Sequence, residues 1–275
     1  MEKGSKQLSL LDEHTQADNG SVVCLGMTFE NDEARREYFR NELRKKLPEL
    51  KQIEGFPIGE DEDIIVLSDP PYYTVCPNPW INDFIEEWER EKAEKYGRDV
   101  NEEYHREPFA SDVTEGKAGP LYNAHSYHTK VPYKAIMKFL LHYTEPGDIV
   151  LDTFCGTGMT GVAAAHCENK EDLQALGFKI DKDKLIDENG HFVSRIGKRN
   201  AILNDLSTAA SFIAHNYNNV VNLEIFKSEM TALIDSIENE YSWFYETLHK
   251  VGDSSGSGKI NYVIWSDVFY CPYCS

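Results

Sequence analysis

Apolar positions along the chain recur at two spacings. Between residues 30 and 47 (ENDEARREYFRNELRKKL), Tyr38, Phe39, Leu43 and Leu47 fall on one face of a 3.6-residue repeat among mixed charges, which predicts an amphipathic helix. Ile64-Ile65-Val66-Leu67 is a short apolar run that stops at Asp69-Pro70-Pro71. Two prolines cannot continue a central strand, so the pattern predicts a buried strand ending in a rigid turn. Residues 80–96 read as a helix with Trp80, Phe84, Ile85 and Trp88 on one face, and the polar stretch 97–127 as a long loop. Residues 132–143 read as a helix opened by Pro132 and closed by Pro146-Gly147. A short strand from Asp148 to Leu151 follows, then Gly156 and Gly158, then a small-residue helix from Thr160 to Cys167. Residues 168–199 read as a charged insertion in which Gly177 to Ile180 pairs with His191 to Val193. Ala201-Ile202-Leu203 is a second buried strand, and Ser207 caps a helix running to Tyr217. A long amphipathic helix is predicted over 222–249, a flexible connector at Ser254 to Gly258, and a strand at Tyr262 to Ile264.

Strands alternating with helices predict an α/β layer architecture with a largely parallel sheet. The expected organisation is a flexible tail at 1–25, one principal region at 26–250, and a separate short segment at 259–275. Only three or four strands are legible, so the sheet is expected to be incomplete in this chain.

Composition adds two constraints. Hydrophobic residues make up 41% and charged residues 27% of the 275 positions, which excludes fibrous and wholly disordered classes. The formal charge is −19, a balance that repels nucleic acid unless the basic residues gather on one face. Arg44-Lys45-Lys46 and the group Arg195, Lys198 and Arg199 are candidate basic patches, and equally ordinary solvated faces. No signal peptide or membrane-length apolar run is visible, and six sparse cysteines suit a reducing cytoplasm.

Three stretches carry chemistry. The first is strand, then Asp152-Thr153-Phe154-Cys155-Gly156-Thr157-Gly158, then helix. Glycines let a backbone turn tightly and approach a ligand, and the helix start offers free N–H groups, so a nucleotide-like cofactor fits there. A plain glycine turn fits equally well. The second is Asp205 at the end of the next strand, placed either to bond ribose hydroxyls or simply to cap the following helix. Its distance from the glycines far exceeds the usual spacing of about 20 residues. The third is Asp69-Pro70-Pro71-Tyr72. Prolines fix φ and hold the Asp69 carboxylate and the Pro70 carbonyl as two acceptors for an exocyclic amino group, with Tyr72 offering a flat face for stacking. Taken alone, these four residues are more simply a strand-terminating turn. Cys271-x-x-Cys274 is half of a four-ligand zinc pattern.

Together these stretches resemble the S-adenosylmethionine-dependent amino-methyltransferases of DNA, in the β-type motif order. The resemblance runs over roughly residues 60 to 217. It rests on Asp69-Pro70-Pro71-Tyr72, on Phe154-x-Gly156-x-Gly158, and on His128-Thr129-Lys130-Val131-Pro132 with the Pro146 to Asp152 segment. It implies a Rossmann-like three-layer sandwich. By resemblance, Asp69, Pro70, Pro71 and Tyr72 hold and stack the flipped base, and Tyr73 is a further base contact. Thr129, Lys130, Asp152, Phe154, Gly156, Gly158 and Asp205 bind the cofactor. Asp at the first motif position is more typical of adenine-N6 than of cytosine-N4 enzymes. The C-terminal stretch resembles the start of a zinc ribbon in very large bacterial methyltransferases, with Cys271 and Cys274 as half of a structural zinc site. The expected partners are double-stranded DNA and a further C-terminal part of the same protein, and a restriction or defence system is one setting for this chemistry. Cytosine-N4 methylation, RNA or protein methylation, and a non-catalytic nucleic-acid-binding or assembly module are the alternatives.

Overall fold

A computed structural model describes residues 20–99, 101–113, 117, 119–127, 130–219, 221–252 and 254–274. His128, Thr129 and residues 1–19 of the expected tail lie outside them. The described residues belong to two compact units, one within Gln16–Asn219 and one within Val220–Ser275.

The first unit begins with a hairpin, β1 (Val22–Cys24) paired antiparallel with β2 (Met27–Phe29). The expected tail therefore gives way to structure before residue 25, because Cys24 is buried against the helix that follows. That helix, α1 (Asp32–Leu50), opens where Asn31 Oδ1 accepts from the Ala34 N–H at 2.8 Å. Phe39, Leu43, Leu47 and Leu50 form its buried stripe, joined by Ile64, Ile65 and Trp80. Tyr38, expected in the stripe, is exposed.

The run predicted as a strand before Asp69 is instead a short helix, α2 (Asp61–Val66). Asp61, Glu62 and Asp63 stand in its first turn, where carboxylates favour the helix dipole, and Ile64 and Ile65 face the core. Trp80 leads into α3 (Ile81–Tyr96), ended by Gly97 in the left-handed conformation (φ 62°). The described residues of the long stretch up to residue 127 are irregular apart from α4 (Pro120–Asn123).

The α/β character lies in the next segment. Helix α5 (Tyr133–Tyr143) leads to β3 (Ile149–Asp152), then α6 (Met159–His166). Strand β7 (Asn200–Leu203) pairs parallel with β3, Ile149 opposite Asn200 and Asp152 opposite Leu203. Met137, Leu141, Ala163, Ala164 and Cys167 form the core between α5 and α6. Among the described residues this parallel sheet has two strands, short of the three-layer sandwich that the resemblance implies.

The insertion is more ordered than its composition suggests. It holds α7 (Lys170–Ala175) and a three-stranded antiparallel sheet of β4 (Lys179–Asp181), β5 (Lys184–Ile186) and β6 (Phe192–Arg195). The expected pairing of 177–180 with 191–193 is corrected: β5 lies between them, anchored by the buried Leu185. Helix α8 (Thr208–Asn218) closes the unit, with Ser207 Oγ accepting from the Ala210 N–H.

In the second unit, α9 (Leu223–Tyr241) is capped by Asn222 and ends well before residue 249. A 3-10 turn, Ser242–Tyr245, leads into an antiparallel hairpin of β8 (Glu246–Val251) and β9 (Ser254–Lys259). Gly252 takes a positive φ of 63° at the reversal, and the expected connector becomes the return strand. Tyr262 to Ile264, predicted as a strand, forms none. Cys271 and Cys274 are exposed, and no group of three or more His, Cys, Asp or Glu among the described residues is placed to hold a metal. The expected zinc-ribbon start thus gains no support from the structure.

Candidate active site

The Asp69 turn is tied at both ends. Ser68 Oγ donates to the Ile64 carbonyl at 2.6 Å and accepts from the Val75 N–H at 3.1 Å. The Asp69 N–H donates to the Tyr73 carbonyl at 2.9 Å, and the Tyr73 N–H donates back to the Asp69 carbonyl at 3.0 Å. Asn78 Nδ2 donates to the Pro71 carbonyl at 2.8 Å. Within this loop the prolines need no N–H partner, so the turn is rigid and satisfied. Asp69 is 6% exposed and Tyr72 48% exposed.

Asp69 and the Pro70 carbonyl do converge, because one guanidinium reaches both. Arg35 Nη2 donates to Asp69 Oδ1 at 2.9 Å and Arg35 Nη1 to the Pro70 carbonyl at 2.8 Å. Arg35 Nε donates to Asp32 Oδ1 at 2.7 Å, and the guanidinium carbon lies 4.8 Å from the Tyr72 ring centre. The second oxygen, Asp69 Oδ2, has longer contacts: His215 Nε2 at 3.4 Å and Arg36 Nη2 at 3.6 Å. Burial pushes the Asp69 carboxyl upward, but His215, Arg36 and Arg35 outweigh it and hold the pKa down to about 2. The carboxylate is ionised at every working pH.

At the glycine loop, β3 ends in Asp152, whose Oδ2 accepts from Thr160 Oγ1 at 2.6 Å and Oδ1 from the Phe154 N–H at 3.2 Å. Gly156 and Gly158 both take positive φ, 54° and 78°. Asp205 stands at the neighbouring strand end and has two partners. Its Oδ2 accepts from the Gly156 N–H at 2.9 Å and its Oδ1 from the Ser207 N–H at 2.9 Å. It thus braces the loop and starts α8 at once. Phe154 is 76% exposed beside the loop, and the Thr157 hydroxyl is buried without a hydrogen-bond partner. Gly158 is needed for packing: a Cβ there would lie 2.7 Å from Ala214 Cβ.

Helix α8 brings the two motifs together. Ala214 packs on Gly158, and its neighbour His215 reaches Asp69 Oδ2. Asn218 Nδ2 donates to the Gly158 carbonyl at 3.1 Å, while Ser211 Oγ lies 3.4 Å from the Tyr73 hydroxyl. His215 also stacks on Tyr73, with ring centres 4.8 Å apart and planes inclined by 13°. Tyr73 is therefore buried in the joint and is no open base contact, contrary to expectation.

Other expected residues fall elsewhere. Lys130 Nζ donates to the Tyr122 and His125 carbonyls and lies over the Tyr122 ring, so it is committed to its own loop. Several residues of the basic patches are engaged within the fold. Arg44 makes a two-point contact with Glu62, Lys45 pairs with Glu42, and Arg199 is buried, donating to the Thr144 carbonyl and Ser194 Oγ. A cavity of about 310 Å³ beside Tyr72 is lined by Phe84, Glu87, Trp88 and Tyr96. Neither Asp69 nor the glycine loop borders it, so it is not where the two motifs meet.

A family model for DNA methylases matches residues 12–187, well over half of the chain. The chain belongs to this family, the adenine-N6 and cytosine-N4 DNA amino-methyltransferases. In the methylase, the matched stretch contains both the Asp69 turn and the glycine loop, whereas Asp205 and His215 lie beyond it. Neither the curated proteins nor the solved structures give a match. Membership makes the methylase an enzyme acting on DNA and implies S-adenosylmethionine as methyl donor. The glycine loop fits such a group, with an exposed aromatic, two carboxylates at adjacent strand ends and one unpartnered buried hydroxyl at Thr157. No helix among the described residues is long and apolar enough to cross a membrane.

Proposed function

We propose that the methylase transfers a methyl group to the N6 amino group of a flipped adenine in double-stranded DNA, acting in the cytoplasm where its substrate lies. Helix α8 is the observation that carries this reading: consecutive residues border the glycine loop and the Asp69 carboxylate. The sequence form of the first motif, Asp69 in place of Ser, favours adenine over cytosine.

An exocyclic aromatic amine is a poor nucleophile because its lone pair is delocalised into the ring. Asp69 and the Pro70 carbonyl accept its N–H groups and draw them from the ring plane, which localises the lone pair on nitrogen. The ionised state of Asp69 makes it a hydrogen-bond acceptor only, as this role needs. The half-exposed Tyr72 ring stacks on the base, held by Arg35 beneath it and by Phe84, whose ring centre is 5.7 Å away. Flipping is required because the amino group is otherwise paired within the duplex. S-adenosylmethionine, when bound, supplies an electrophilic methyl carried on a sulfonium. Phe154, Gly156, Gly158, Asp152 and Asp205 form the wall that receives it, Asp205 through lone pairs not used by Gly156 and Ser207. The chain's contribution is then positioning and exclusion of water, without a covalent enzyme intermediate.

The test is methyl transfer from labelled S-adenosylmethionine to unmethylated DNA, with the nucleosides resolved by mass spectrometry, beside Asp69→Ala. N6-methyladenine from the parent alone supports the reading. N4-methylcytosine corrects the acceptor, and equal product from the variant removes Asp69 from the chemistry.

A further inference from the structure

We propose that Arg35 is a positioning residue for the methyl transfer: its guanidinium permanently clamps Asp69 Oδ1 and one lone pair of the Pro70 carbonyl, so that the target amino group is received by Asp69 Oδ2 and by the carbonyl's remaining lone pair. This rests on Asp69 being the acceptor, as proposed above, and adds how that acceptor is aimed.

Arg35 stands in the first turn of α1, the helix whose Phe39, Leu43 and Leu47 anchor the core, and it is 1% exposed. Every side of its guanidinium is engaged: Asp32 at Nε, the Pro70 carbonyl at Nη1, Asp69 at Nη2, and the Tyr72 ring across its face. Asp32 is held in turn by Arg36, whose Nε donates to Asp32 Oδ2 at 2.8 Å. A displaceable plug would need an exit and a weak hold, and Arg35 has neither. The planar fork also suits the task, because it fixes two acceptors at one separation and one angle, which an ammonium cannot do.

The two carboxylate oxygens are therefore unlike. Oδ1 carries a short charge-assisted hydrogen bond at 2.9 Å. Among the described residues, Oδ2 is met by His215 Nε2 at 3.4 Å and Arg36 Nη2 at 3.6 Å, both beyond the usual N–H···O range of about 2.7–3.2 Å, so it keeps accepting capacity for an incoming amine. The charged and titratable groups facing Asp69 are Arg35 and Arg36 from α1, with Asp32 shared between them, and His215 from α8 with Tyr73 stacked on it. Of the two arginines, Arg35 alone makes a short contact with Asp69, so its removal frees Oδ1 to rotate and weakens the field that keeps the carboxyl ionised.

The test compares Arg35→Met, Arg35→Lys and Asp69→Asn with the parent. The Asp69 carboxyl is titrated by carbon NMR, and kcat and KM for unmethylated DNA are followed against pH. Arg35→Met is expected to raise the Asp69 titration midpoint by about one pH unit. It should also lower kcat by about 100-fold through misaiming, with KM for DNA little changed. Arg35→Lys should return part of both effects, and it is the reporter if the methionine variant fails to fold. An unshifted Asp69 midpoint in a folded Arg35 variant overturns the clamp, whatever the activity. Methyl transfer by Arg35→Met at or above the parent rate overturns it too and makes Arg35 a plug. Full activity in Asp69→Asn would instead sink the acceptor reading itself, an outcome distinct from an inactive Asp69→Asn beside a fully active Arg35→Met.

Discussion

Asp69→Asn has a stability cost that can be worked out beforehand. Asparagine keeps the shape of the protonated carboxyl, so the variant measures what the ionised form contributes. The Asp69 pKa is lowered from 3.8 to about 2. At about 1.36 kcal/mol per unit, the ionised side chain stabilises the folded unit by about 2 kcal/mol at neutral pH. A folded pKa below the unfolded one gives stability that is complete above the unfolded value and is lost as the pH falls through the folded value. Urea unfolding of parent and variant, followed by fluorescence of the buried Trp80, should differ by about 2 kcal/mol near pH 7 and by roughly half of that near pH 3. Asp172 and Asp187, whose carboxyls are also held low, titrate in both proteins and cancel in the difference. A gap that is absent at neutral pH, or that fails to shrink in acid, would refute the charge account of this site.

Two further outcomes test the frame around it. Gly158→Ala should destabilise the first unit by about 2 kcal/mol in urea unfolding, because its Cβ collides with α8 and its φ is positive. Thiol labelling should find Cys271 and Cys274 reactive at once, whereas the fully buried Cys167, whose thiol burial pushes up to about 11, should react only on unfolding.

Much of the fold is legible because its elements announce themselves locally. Helices α1 and α5 carry clear apolar stripes, and β3 and β7 are apolar runs between turn residues. The short run before Asp69 is a different case. Ile-Ile-Val-Leu has strand propensity, but Asp61, Glu62 and Asp63 favour a helix start, and among the described residues no neighbouring strand claims the run. The glycines and the Asp69 turn were visible as motifs, yet what joins them was not. His215 looks like any helical histidine, and Arg35 like one more charge on a solvated face. Their importance depends on contacts with residues far away in sequence, which no local pattern encodes. The single usable signal was the Asp32/Arg35/Arg36 spacing, which places one carboxylate within reach of two guanidiniums.

The position of α8 has a consequence for how the molecule comes into being. During synthesis the Asp69 turn emerges first and the glycine loop well after it, but neither is set against the other until residues 214 and 215 have been made. Residues 214 and 215 also lie beyond the residues that the family model matches. The junction of the two motifs is thus a late product of chain elongation, completed by one helix docking after both motifs exist. A nascent chain stopped short of that helix would carry both motifs but lack the helix that sets one against the other.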